Sequence, residues 1–202
     1  LVDPDFAEPV VARLVAEGMR VAVIGDPIPG AHLVVARFPD PVAADPAAVV
    51  AHIEQQLGSL SVLVCAAGTP LRGRFADTPA ADWFAGVSQA LFAPFALIRA
   101  AVPVLSRSAD ARIVVVGSGW SATELPGATA TAAVQGALVA LVKTLARDLG
   151  PRGITVNEVS VPEDVTATPR ALAAAVGYLT GLHAGAMIGQ IVTVGSGGDV
   201  RP

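Results

Sequence analysis

Short apolar runs alternate with amphipathic stretches along the whole chain. The first amphipathic stretch is Phe6 to Glu17, where Val10, Val11, Leu14 and Val15 share one face at helical spacing and Gly18 follows as a stop. Arg20 to Gly25 (RVAVIG) and His32 to Phe38 (HLVVARF) are short and β-branched, as buried strands are. Asp45 stands as the N-cap of a helix that runs to Leu57 and stops at Gly58. Leu60 to Cys65 (LSVLVC) predicts the next strand, with Ala66-Ala67-Gly68 as the loop behind it. Thr78-Pro79 pairs a capping residue with proline at the first helical position. The helix it opens is expected to reach about Leu105, kinked at Pro94. Arg112 to Val116 predicts a strand, Thr129 to Leu149 an Ala-rich helix ended by Gly150-Pro151, and Ile154 to Val159 a strand. Arg170 to Leu179 and Gln190 to Val194 predict a last helix and a last strand.

Strands of nearly continuous hydrophobicity alternating with helices imply a parallel sheet covered on both faces. The expected architecture is one α/β domain over residues 1–202, a Rossmann-like doubly wound parallel sheet in three αβα layers. Composition changes this picture little. The chain is 53% hydrophobic and 15% charged, so membrane spans have to be weighed, and Ala171 to Gly198 carries no charge at all. Gly177, Gly181, Gly185 and Gly189 interrupt that stretch, which reads as a helix, a glycine loop and a strand. A formal net charge of −4 gives no electrostatic footprint for nucleic acid, and no Lys/Arg run addresses a membrane surface. Leu1 to Phe6 has two aspartates and no basic residue, unlike a secretory leader. A single cysteine, Cys65, rules out an internal disulfide and fits a reducing compartment, the cytoplasm.

Several segments, in order and at matching spacing, resemble the short-chain dehydrogenase/reductase family. LSVLVCAAG (60–68) is similar to its fourth-strand motif, which usually ends Asn-Asn-Ala-Gly. DTPAADW (77–83) is similar to the start of its long interface helix, and RIVVVGS (112–118) to the strand bearing its catalytic serine. LARDLGPRGITVN (145–157) and MIGQIVTV (187–194) resemble the end of its next helix with the strand behind it, and its final strand. The likeness covers nearly the whole chain after residue 6.

The resemblance implies a tetrad of Asn, Ser, Tyr and Lys serving a nicotinamide cofactor. The tyrosine moves the proton, and the lysine four residues on lowers the phenol pKa from about 10. Carried over without a gap, the serine position is Ser118, the tyrosine position Thr131, the lysine position Gln135 and the asparagine position Ala90. Only the serine remains. A threonine hydroxyl is too weak an acid to replace a tuned phenol, and a neutral glutamine cannot tune one. Tyr178, the only tyrosine, belongs to the last predicted helix.

The cofactor turn is altered as well. The resemblance makes Leu1-Val2 the end of a first strand and Asp3 to Pro9 the phosphate turn, yet that turn holds no glycine. Phe6 and Glu8 fall where two of the family's glycines would be, and Asp5 and Glu8 have capping-box spacing. A carboxylate beside a diphosphate costs about 4 kcal/mol at 4 Å and an effective dielectric near 20. Arg37 stands where the family often has an aspartate near the adenine. Asp26, after the second strand position, and Gly68 are the residues through which NAD(P) would be held, if any cofactor is. Val161 to Asp164 replaces a Pro-Gly, and Thr168-Pro169 leads straight into the last helix, so the family's substrate lid is almost missing.

Other residues carry ordinary expectations. Cys65 reads as a buried inert thiol. His32, His52 and His183 lack metal-ligand spacing, so no metal is expected. Trp120 is expected to fill space beside Thr131. The two long helices, 78–105 and 129–149, build the dimer interface in the family, and Ala132, Ala133, Gly136, Ala137 and Ala140 would allow close approach. The expectation is a non-catalytic subunit, in a homo-oligomer or with an active dehydrogenase, binding neither nucleic acid nor membrane. The alternatives are an NAD(P)-dependent oxidoreductase with an atypical active site and a ligand-binding regulatory module.

Overall fold

The computed structural model describes residues 4–35, 45–70, 72–119, 125–161 and 168–195. Its elements follow the alternation in the sequence. The first half contains α1 (Pro4–Ala16), β1 (Ala22–Ile24), β2 (Leu33–Val35), α2 (Pro46–Leu57), β3 (Val62–Ala66) and α3 (Ala80–Leu105). The second half contains β4 (Ala111–Ser118), α4 (Thr129–Leu149), β5 (Ile154–Val161), α5 (Thr168–Thr180) and β6 (Ile191–Thr193). Leu1-Val2, Asp3, Arg37, Trp120 and Pro162 to Asp164 lie outside the described residues.

Among the described residues all strand pairs are parallel, in the orders β1-β2 and β3-β4-β5-β6. Helices cover both faces, giving the expected three layers. On one face α2, α3 and α4 contribute Val50, Ile98, Leu105, Leu138 and Val142 to a core with Ile113, Val115 and Val156. On the other, α1 and α5 bring Val10, Leu14, Leu172 and Val176 against Val114, Val116 and Val159. The strands β4 and β5 are buried along almost their whole length, which explains their unbroken apolar runs.

Local signals work where the partner groups are close in sequence. The Asp45 carboxylate accepts the amides of Ala47 and Ala48 at 3.1 and 3.2 Å, and Gly58 ends α2 at φ 80°. Two expected caps do not form. Thr78 turns its hydroxyl back to donate to the Arg74 carbonyl at 2.8 Å, and the extended Pro79 (φ −56°, ψ 136°) stands at the head of α3 without a side-chain cap. Helix α1 begins at Pro4, so Asp5 lies inside it and the Asp5/Glu8 capping box is not its N-terminus.

The uncharged stretch after Ala171 is indeed a helix, a glycine-rich connection and a strand, as far as Gly195. The helices long and apolar enough to cross a membrane, by length and composition, are instead α3 and α4 with the turn after it. Each lays one face on the sheet and leaves the other uncovered.

Candidate active site at the carboxyl ends of the strands

In a parallel α/β sheet the chemistry-bearing residues stand at the carboxyl ends of the strands. Here those ends are Gly25-Asp26 after β1, Ala67-Gly68 after β3, Ser118 on β4 and Val161 on β5. Ser118 is half-buried, and its carbonyl accepts the Ser160 hydroxyl at 3.2 Å. Asp26 is exposed in the turn after β1.

Gly68 is held by a specific deficit in α3. The Ala90 carbonyl would normally accept from the residue four places on, but that residue is Pro94, which has no N–H. The Gly68 amide supplies the missing donor at 3.1 Å. The approach is so close that a Cβ on Gly68 would meet the Ala90 Cα at 3.2 Å. Gly68 therefore docks the loop after β3 onto the long helix, and Ala90 is buried beneath it. Pro94 leaves α3 continuous over 26 residues, its lost hydrogen bond replaced from outside the helix.

Thr131 and Gln135 sit one turn apart on the inner side of α4, both buried. Gln135 is fully enclosed, and its Nε2 donates to Oε1 of Glu158 on β5 at 2.6 Å. Glu158 is also fully enclosed. Burial pushes its carboxyl from the usual 4.5 up to about 7, against the opposing pull of the Gln135 hydrogen bond. Gly117 makes room for the pair, since a Cβ there would come within 2.7 Å of both Gln135 Oε1 and Glu158 Oε1. Thr131 Oγ1, Gln135 Oε1 and Glu158 Oε2 have no hydrogen-bond partner.

Glu158 was the residue that sequence reading passed over. Its signal was a lone carboxylate inside a strand buried on both faces, ITVNEVSV, which demands a polar partner across the layer. Cys65, in contrast, behaves as read: it is buried, and burial pushes its thiol up to about 12. Tyr178 lies on α5 with half its surface exposed. Among the described residues no cluster of His, Cys, Asp or Glu has the arrangement of a metal site.

Comparison with known proteins accounts for this layout. The family profile described as enoyl-(acyl carrier protein) reductase matches residues 42–163, more than half of the chain. The chain belongs to the short-chain dehydrogenase/reductase family. It is 34% identical over 126 residues to 2-(S)-hydroxypropyl-CoM dehydrogenase 3 of Xanthobacter autotrophicus, covering 62% of this chain and 49% of that one. It is 32% identical over 114 residues to a 3-oxoacyl-(acyl-carrier-protein) reductase of Pseudomonas aeruginosa, covering 56% and 46%. The chain thus spans about half the length of the curated relatives it matches. Among solved structures, acetoin dehydrogenase from Enterobacter cloacae superimposes with a TM-score of 0.82 at 22% identity, over 98% of this chain and 94% of that one. A Thermus thermophilus protein, TT0495, superimposes with a TM-score of 0.82 at 26% identity, over 94% and 92%. Short-chain dehydrogenases are oxidoreductases that typically use NAD(P), and the fold here is theirs.

Proposed function

We propose that this chain is a non-catalytic subunit of the short-chain dehydrogenase/reductase family, which associates with itself or with an active dehydrogenase through the outer faces of α3 and α4. The observation that carries the reading is the Gln135–Glu158 pair. A dehydrogenase of this family needs a lysine at the position Gln135 occupies, to hold a phenol near its working pKa. Gln135 is neutral, points into the protein and is engaged by a buried carboxyl. Thr131, at the phenol position, is only 2% exposed, so its hydroxyl is shut off from any substrate. A proton donor must come within hydrogen-bond reach of the reacting atom.

The residues at the head of α1 do not fit the cofactor either. No glycine occurs among the first 17 residues, and Glu8 is exposed close to the start of the helix. A diphosphate at that terminus would meet negative charge where the family offers bare backbone amides. Gly68 is engaged by Ala90 rather than turned to a ligand.

What remains suited to selection is the outer surface of the two long helices. Phe84 and Phe95 on α3 are 65% and 51% exposed. A groove of about 280 Å³ runs between Ser88, Leu91, Phe92 and Phe95 of α3 and Ala137 and Leu141 of α4. Gly136 and Ala140 are exposed on the outer side of α4, and nothing lies within 4 Å of where a Gly136 Cβ would stand. Large apolar residues beside small ones give ridges and grooves for helix packing, and exposed aromatics mark interfaces. The alternative reading, an NAD(P)-dependent oxidoreductase with an atypical site, draws on the retained Ser118. It requires that serine to act without a tuned phenol. Light scattering on the purified chain tests association: the mass of a dimer or larger is expected, alone or with a co-expressed active dehydrogenase. A monomer in both preparations contradicts it.

A further inference from the structure

The two halves of α4 are held to the sheet unequally. Beyond Gly136 the helix buries Leu138, Val142, Ala146 and Leu149. Ahead of Gly136 it buries Ala130, Thr131, Val134 and Gln135, and Val134 is the one apolar side chain there larger than a methyl. Burial of so little apolar surface anchors the head, residues 129–135, weakly. Local propensity does not compensate. Ala128 offers no side-chain cap to the first amides, and Thr129 and Thr131 are poor helix formers. Gly136 closes the head with the least helical residue of the stretch. It is exposed, and nothing lies within 4 Å of where its Cβ would stand, so packing does not require a glycine there.

Polar ties fasten the head instead. The Trp83 indole N–H donates to the Thr129 hydroxyl oxygen at 3.0 Å. Just ahead of the helix, the Gly73 amide donates to the Gly127 carbonyl at 3.1 Å. Toward the sheet, among the described residues, the side-chain tie is Gln135 Nε2 to Glu158 Oε1.

This last tie changes character with charge. Protonated, Glu158 is a neutral group in a dry layer. Ionised, it keeps one donor on Oε1, and Oε2 has none. No cation is placed to help it. The titratable groups of α4 are Lys143, Arg147 and Asp148, all beyond Gly136, and the Lys143 ammonium donates to the Gly189 carbonyl. On β4, Arg112 alternates to the opposite face of the sheet and lies against Gly185. On α3, Asp82 and Arg99 are exposed, and β6 has no titratable side chain. A buried carboxylate so poorly supplied is costly. Hydration would relieve it, and Gln135, on the weakly held head, packs directly upon it.

We propose that the head of α4 is a gate, which swings about Gly136 when Glu158 ionises and uncovers the carboxylate and Gly117 at the end of β4, while residues 138–149 stay on the sheet. The direction follows from burial. The closed form holds Glu158 protonated up to about pH 7, whereas a hydrated carboxyl ionises near 4.5. Between those values each pH unit favours opening by about ten-fold. The gate is independent of whether the chain has lost its catalysis.

Native-state hydrogen exchange on the full chain, corrected for the intrinsic pH dependence of the chemistry, tests it. The amides of Ala132, Ala133, Val134 and Gln135 are expected to lose protection by about 30-fold between pH 5 and pH 7. The Trp83 indole N–H should follow them. At pH 7 the head amides should exchange at least about ten-fold faster than those of residues 142–149. They should respond little to urea below the unfolding transition, which should accelerate 142–149, because a local opening exposes little surface. Glu158→Gln should remove the pH dependence of the head. Gly136→Ala should slow its exchange by about five-fold and keep the pH dependence. Head and 142–149 exchanging together, with one urea response, overturns the proposal, since α4 then opens only with the whole fold. A fast head without pH dependence is simple fraying and overturns it too. So does a pH dependence that survives in Glu158→Gln. None of these results bears on cofactor binding or oligomeric mass.

Discussion

The two sides of α4 make different demands on the same helix. Its inner side is enclosed: Thr131, Val134, Gln135, Leu138 and Val142 are buried against the sheet. Its outer side carries Gly136 and Ala140 in the open, beside the exposed Phe95 of α3. In a dehydrogenase of this family the inner side faces chemistry and the outer side faces another subunit. Here the inner side is packed as core, joined to Glu158 through Gln135, while the outer side exposes small residues of the kind that helix packing uses. On the proposed reading, the difference teaches that a site can be closed by packing without disturbing the surface behind it. It also separates two kinds of effect. Changes on the inner side should alter stability, and changes on the outer side should alter mass.

The largest expected effect is on the inner side and follows pH. Glu158 has a folded pKa of about 7 against an ordinary value of 4.5, so the folded protein binds a proton that the unfolded chain releases. The resulting stability is fully present below about pH 4.5, declines through the interval, and is gone above about pH 7. The loss should approach about 3 kcal/mol. Urea denaturation across that range measures it, and Glu158→Gln should flatten the profile. A profile with the same slope in both proteins would place the proton elsewhere.

Next in size is the pair itself. Gln135→Leu leaves a buried carboxyl without its donor and should cost about 2 kcal/mol in the same denaturation experiment. Adding Glu158→Leu removes the orphaned group and should return stability to within about 1 kcal/mol of the parent. Single and double variants of equal stability would show that the two side chains are not coupled.

The smallest effect on stability belongs to the outer side. Phe95→Glu should change the unfolding free energy by no more than about 0.5 kcal/mol, because the ring is half-exposed in the protomer. The same substitution should reduce the mass seen by light scattering to that of a monomer. A stable oligomer carrying Phe95→Glu would move the interface away from the α3–α4 groove.

The order of elements and both ends of α2 were legible in the sequence, because the Asp45 cap and the Gly58 stop depend on residues only a few places away. Thr78 shows the limit of such local reading. Its sequence context suits a cap, but its hydroxyl finds the Arg74 carbonyl instead. The role of Gly68 was hidden because it depends on a deficit created by Pro94, seen only once the loop after β3 meets α3. The Gln135–Glu158 pair spans 23 residues and two elements, so neither residue announces the other.

The central claim is that the closed inner side leaves no working cofactor site. Titration of the purified chain with NADH and with NADPH, followed by calorimetry and nicotinamide fluorescence, tests it most directly. The account predicts no saturable binding up to about 1 mM cofactor, the level at which binding is worth about 4 kcal/mol. Saturable binding below that concentration, with the nicotinamide oxidised when a ketone is added, would contradict it.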